Sequence, residues 1–282
     1  MSNDKVSDPH SNGTHANGTH ANGSYGKLDD LQRGHIRRML NLAGQLPDDW
    51  SGMMARTSLQ EDFGGYRFQL AYMAFALALT HVHHLPAARG YFKRPFKRLI
   101  EKMRSPDVWT YWHYVSTGNG PLNKAQGELP SEWNPIIKDN IMYSAYLQSM
   151  ALLYHYLFND DHYAQENALS LVFKPIFWGS EKRYDYDENS INEHLYWGMV
   201  ERGYMGIACE PNCVFQICNQ VPILGFRFHD IIYGGETAKE VTEGYLRAWD
   251  EFGVLNENGH FNMMVMEQER NVVTPEAPWS DF

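Results

Sequence analysis

The chain has 282 residues, 43% of them hydrophobic and 14% aromatic, and a net charge of −10. That is enough apolar material for one large core, and the aromatic load also suits a cavity lined with rings. An acidic surface repels phosphate backbones and anionic lipid headgroups, so nucleic acid and anionic membrane are set aside as partners.

Residues 1–26 are polar and repetitive, with Thr14-His15-Ala16-Asn17-Gly18 echoed by Thr19-His20-Ala21-Asn22-Gly23. Such a segment buries too little to offset its ordering entropy and reads as a disordered tail, leaving 27–282 as the folded domain. From Lys27 onward, apolar residues recur at spacings of three and four, with Gly, Pro, Asn or Asp at the joints. The pattern predicts helices over 28–46, 66–85, 89–104, 136–158, 160–174, 189–202, 211–232 and 237–252. Asp107 to Ser116 adds a short aromatic-rich helix, and Gly118 to Pro135 reads as a long loop. No alternation of strand and helix suggests a parallel sheet, so the expected class is all-α, built from antiparallel hairpins.

The longest apolar stretch, Leu70 to Leu79, is about half the roughly 20 residues needed to span a bilayer. The N-terminus shows no charged-then-apolar leader, which predicts a cytoplasmic protein. The three cysteines all lie between Cys209 and Cys218 and do not form a secreted disulfide framework.

Three segments carry candidate chemistry. In the first, Cys209 to Pro222, Pro211 suits the first position of a helix, which would put Cys209 at a helix N-terminus where a thiolate is favoured. Pro222 would then kink that helix by depriving the Cys218 carbonyl of its donor. Buried cysteines are also common core residues, and the spacing fits no common zinc motif. In the second, Gly64 and Gly65 allow a turn that leaves Asp62 in a loop at the end of a helix bundle, although Ser58 and Glu61 have capping-box spacing and Asp62 could itself be a cap. In the third, Met142 and Tyr146 are four apart and share a face of an apolar helix, a stripe that equally suits a core.

Together these segments resemble the linalool dehydratase-isomerase family from about Leu40 to the C-terminus. The most specific piece is Cys209-Glu210-Pro211-Asn212 followed by Phe215 and Cys218-Asn219, with the two cysteines nine apart. The resemblance implies an (α/α)6 toroid whose apolar pocket dehydrates or isomerises small terpene alcohols by acid–base chemistry, without metal or organic cofactor. It places the family aspartate on Asp62 and the cysteine pair on Cys209 and Cys218. Tyr146 stands where the family has histidine, and Phe68 where it has a tyrosine. Met142 and Phe215 fall on pocket-lining positions, and Phe68 and Tyr72 are expected beside them.

On this reading Asp62 is the acid, Cys209 takes a proton or bonds to the cation, and Cys218 and Tyr146 orient the hydroxyl. The substrate would be an isoprenoid alcohol or a polycycle derived from one, in specialised metabolism. Two rivals stand beside this lyase or isomerase reading. One is a cyclase-like cavity that shapes a reactive polyene; the other is a non-catalytic binding or assembly paralogue. A sugar-epimerase-like barrel fits less well, because these segments are sulfur-bearing and apolar. A toroid needs twelve helices and fewer are predicted, so the ring would be open, the chain a truncated relative, or the ring closed by another copy, and a homo-oligomer is expected.

Overall fold

The computed structural model describes residues 25–56 and 63–274. Asp29 starts the first helix, α1 (Asp30–Gly44), through a capping box: its carboxylate accepts from Gln32 N at 2.7 Å and Gln32 Oε1 accepts from Asp29 N at 2.9 Å. There follow α2 (Gly65–His83), α3 (Arg89–Met103) and the short α4 (Pro106–Trp109) and α5 (Trp112–Val115). Next come α6 (Ile141–Phe158), α7 (Glu188–Glu201), α8 (Gln220–Tyr233) and α9 (Thr237–Asp250). No helix among the described residues is long and apolar enough to cross a membrane.

The central element is α6. All of its residues except His155 and Tyr156 are buried, as a helix that is apolar on every face must be. It packs against α8, α2, α3 and α7, while α3, α7 and α9 pack beside α2, α6 and α8 respectively. The closest approach is between α6 and α8. A Cβ on Gly225 would fall 2.2 Å from Gln148 Oε1, so only glycine admits that buried amide, which donates to Asn192 Oδ1 at 2.8 Å. The described chain is therefore mostly helical, with its core along α6.

Two small antiparallel sheets interrupt the helices. β1 (Leu171–Phe173) pairs with β2 (Lys182–Tyr184), and β3 (Cys213–Phe215), β4 (Met264–Met266) and β5 (Asn271–Val273) form a three-stranded sheet in that order. These strands correct two expectations. The helix predicted over 160–174 is a single 3-10 turn (His162–Ala164) followed by β1, because the apolar run Leu169 to Phe173 pairs along a strand. The helix predicted over 211–232 begins only at Gln220, after a tight turn, β3 and a 3-10 turn (Ile217–Asn219). Pro222 consequently sits in the first turn of α8, where its missing N–H removes no bond, and no kink arises there.

Candidate active site

Three stretches of chain converge at one end of α6. The first is the start of α2, the second the first two turns of α6, and the third the Cys209–Asn219 segment. Their meeting point is Tyr146, whose ring lies 5.8 Å from Phe68, 6.1 Å from Tyr72 and 6.2 Å from Phe75 in edge and tilted contacts. Phe68, Tyr72 and Phe75 recur at helical spacing along α2 and so present one face to α6. Met142, one turn before Tyr146, is buried on the same side. Tyr72 is 58% exposed, so the cluster opens to solvent past that residue.

The sulfurs complete the cluster. Pro211 and Asn212 are the central residues of a tight turn in which Cys213 N donates to Glu210 O at 2.9 Å, with Asn212 at φ 71°. Proline followed by asparagine in the left-handed region suits a type II turn, a signal present in the sequence and read there as a helix start. Cys209 therefore does not sit at a helix N-terminus. Its thiol is pushed well above the ordinary value, first by its hydrogen-bonding contact with Cys218, then by burial and by Glu210, against a smaller opposing pull from Arg67. The expected thiolate is replaced by a neutral thiol. Cys213, a third buried thiol outside this contact, is raised to about 12 by burial and nearby carboxylates.

Burial likewise raises the Tyr146 phenol, helped by Tyr72, which hydrogen-bonds it, and by Cys218; Arg67 acts weakly the other way. Arg67 is 1% exposed and was not singled out from sequence. Its guanidinium lies 4.5 Å from the Phe68 ring and 4.5 Å from the Tyr111 ring, and Nη1 donates to Gly64 O at 2.8 Å. Tyr111 in turn donates from its hydroxyl to Asn140 Oδ1 at 2.6 Å. Asn140 and Asp139 both adopt positive φ (58° and 51°), and the Ile141 N–H that follows donates to Ala208 O at 3.2 Å. An Asp-Asn pair tolerates this backbone, which is the one clue the sequence held to an abrupt helix start there.

Tyr146, Phe68, Tyr72, Cys209 and Cys218 thus form one cluster, with Met142 one helical turn before Tyr146. Phe215 is half-buried at the end of β3, and Asp62 lies outside the described residues. An open cleft of about 790 Å³ runs between α8 and α9, and its lining includes Tyr245 but none of Tyr146, Cys209 or Cys218. Tyr245 links the two regions, since its hydroxyl donates to Gln216 O at 2.9 Å and its phenol is raised by burial and by Cys218. Among the described residues no group of three His, Cys, Asp or Glu is placed to hold a metal ion.

This cluster offers O–H and S–H groups beside rings in edge and tilted contact, with a buried guanidinium set between Phe68 and Tyr111. Such a surface orients a hydroxyl by hydrogen bonds while ring faces meet hydrocarbon. The comparison with protein families agrees with that chemistry: the family model described as linalool dehydratase/isomerase matches residues 67–282, from the buried arginine to the end of the chain.

Proposed function

The chain belongs to the linalool dehydratase/isomerase family, and from that premise we propose that it dehydrates or isomerises an isoprenoid alcohol, or a polycycle derived from one, at the Tyr146–Cys218 cluster. The observation that carries the reading is the convergence of Phe68, Tyr72 and Phe75 on Tyr146 beside the contacting thiols of Cys209 and Cys218. In this proposal the hairpins around α6 form an arc of an (α/α)6 toroid, with α2, α6 and α8 on its inner side. Buried free thiols suit the reducing environment of the cytosol, and the reaction belongs to specialised metabolism.

Asp62, five residues ahead of Arg67, supplies the acid. Its carboxyl proton passes to the substrate hydroxyl, the C–O bond breaks and water leaves. The carboxylate so formed takes a proton from the carbon next to the allylic cation, and a double bond forms in its place. Proton and electron counts close without an external reactant, and neither metal nor organic cofactor enters the scheme. Cys209 holds the oxygen as a neutral donor in this version, because a thiol raised so far above its ordinary value is a poor base near neutrality, and Cys218 lies beside it. Tyr146 and Tyr72 orient the same oxygen, and the rings of α2 face the cation.

A cyclase-like reading has one observation in its favour. Tyr146 and Cys209 are both held neutral, and Phe68 presents no hydroxyl, so positioning carries more weight here than proton transfer. Incubation of the protein with linear and cyclic isoprenoid alcohols under reducing conditions, followed by mass spectrometry, tests both. Loss of water or allylic transposition, reduced by roughly 10²-fold or more in Asp62→Asn, supports the first reading. Folded Asp62→Asn and Cys209→Ala proteins with full turnover overturn it; if Phe215→Ala alone then abolishes conversion, the shaping role takes its place. Ligand retention without any conversion would mark a binding paralogue.

A further inference from the structure

The reaction proposed above gives Arg67 no task, yet this arginine is buried at the edge of the cluster, next to the first ring of the α2 stripe. Burying a charge is costly. A neutral amide would serve as well to hold the Gly64 carbonyl, so the charge itself is the feature to explain.

The charge is fixed in place. The Phe68 and Tyr111 rings each lie 4.5 Å from the guanidinium. Tyr111 is tied to the start of α6, since its hydroxyl donates to Asn140 Oδ1 at 2.6 Å and Asn140 Nδ2 donates to Pro135 O at 3.0 Å. A guanidinium stays protonated at every pH at which the fold survives. Its field reaches the groups of the cluster. The Cys209 thiol, raised by its contact with Cys218, by burial and by Glu210, is pulled partly back by Arg67, and so is the Tyr146 phenol, which burial and Tyr72 raise.

Polarity therefore runs along α2. Arg67 stands at one end and Phe75 at the other, with Phe68 and Tyr72 between them. Eight residues at about 1.5 Å each give about 12 Å, near the extended length of two isoprene units. A ligand lying along this stripe meets a cation at one end and rings alone at the other.

We propose that Arg67 is a specificity-determining residue that selects an isoprenoid alcohol bearing a carboxylate, with the anionic head at the Arg67–Cys209 end and the hydrocarbon along Phe68, Tyr72 and Phe75. This inference rests on the reading that the cluster takes an isoprenoid. The same placement steers the chemistry, because an allylic cation forms at lower cost on the ring side than beside the guanidinium. The protein surface favours the opposite choice: a net charge of −10 attracts cations and repels anions, so a preference for acids has to be made locally. Two unit charges about 8 Å apart, at an effective dielectric constant near 20, change an affinity by roughly tenfold or more.

Titration calorimetry of the full chain at pH 7 under reducing conditions tests it, with geranate, geraniol and geranylamine as probes. The three share one hydrocarbon chain and differ in the charge of the head. Geranate is expected to bind at least roughly tenfold more tightly than geranylamine, with geraniol between them. Arg67→Met should remove that order, and Arg67→Lys, which keeps the charge, should retain it. Glu210→Gln, at a half-buried position, removes the opposing charge without touching Arg67 and should widen the gap several-fold. Equal affinity for acid and amine in wild type, or an acid preference that survives in folded Arg67→Met, overturns this inference and leaves the isoprenoid reading standing. Should Arg67→Met fail to fold, an acid preference that Glu210→Gln leaves unchanged overturns it. Absence of saturable binding by all three probes overturns both.

Discussion

The side chain of Asn219 and the peptide of Ile207 are joined by two hydrogen bonds: Oδ1 accepts from Ile207 N at 2.7 Å and Nδ2 donates to Ile207 O at 3.0 Å. A third bond runs from Nδ2 to Phe215 O at 2.9 Å, and the Asn219 side chain is fully buried. Gly206, at φ 126°, makes room for this clamp, since a Cβ there would lie 2.6 Å from Asn219 Cγ. The clamp ties the strand-like entry to Cys209 to the residue that follows Cys218. Asn219→Ala leaves buried backbone groups without partners, each costing about 1–3 kcal/mol, so a total loss of about 3 kcal/mol is expected in urea unfolding. A loss of under about 0.5 kcal/mol would show that the clamp does not hold the sulfurs together.

Arg202 joins two acidic groups, Asp139 at 2.9 Å and Glu267 at 3.2 Å. Asp139 is buried, and desolvation raises its carboxyl despite the Arg202 charge. Arg202→Met strands that carboxylate and is expected to cost about 3 kcal/mol, most of it restored by adding Asp139→Asn. The deficit depends on pH. With Arg202 gone the folded-state value of Asp139 rises further, so the deficit is full above that value and fades as pH falls toward 3.8, the ordinary value, because the protonated acid needs no partner. Thermal melts of the variant that are equally depressed at pH 4 and pH 8 would contradict this assignment.

Helix positions in the sequence were readable where amphipathic or wholly apolar runs met Gly, Pro or Asp joints, as at 65–83, 89–103 and 237–250. The Cys209–Pro222 segment misled because Pro-Asn serves both a helix start and a turn, and only pairing with Met264 to Met266, some fifty residues on, decides between them. Arg67 was invisible as a site residue for a similar reason. A cation five residues into an apolar stretch reads as surface until Phe68 and Tyr111 are seen to enclose it. The proximity of Tyr146 to both α2 and the cysteines is likewise tertiary. It came into view through the resemblance and not through any local pattern.

A second pH-linked group lies where α6 ends and α7 begins. Glu188, fully buried, accepts from Tyr233 at 2.7 Å and contacts His155 Nδ1 at 2.5 Å, and burial raises its carboxyl above 4.5. A raised acid contributes stability below its unfolded value and loses it as pH rises through its folded one. Glu188→Gln removes that loss. The stability of the variant relative to wild type should therefore increase from pH 4 upward, read as the difference between two denaturation midpoints. A difference that does not change with pH would mean the carboxyl titrates normally.

The raised thiols make a chemical prediction. Native protein at neutral pH should react slowly with Ellman's reagent at Cys209 and Cys213, and urea should release all three thiols at once. Cys218→Ala removes the hydrogen-bonding contact that raises Cys209 most and should speed modification of Cys209 at fixed pH, measured by peptide mapping. If Cys209 in this variant is as slow as in wild type, burial alone protects it.

The left-handed Asp139–Asn140 step has a mechanical corollary. Because Ile141 hangs from the Ala208 carbonyl, the helix that bears Tyr146 and the strand entry that bears Cys209 share one frame and cannot part without breaking a backbone bond. The other side of Tyr146 is tied more loosely, since α2 meets it through the ring edges of Phe68, Tyr72 and Phe75 and the single hydrogen bond with Tyr72.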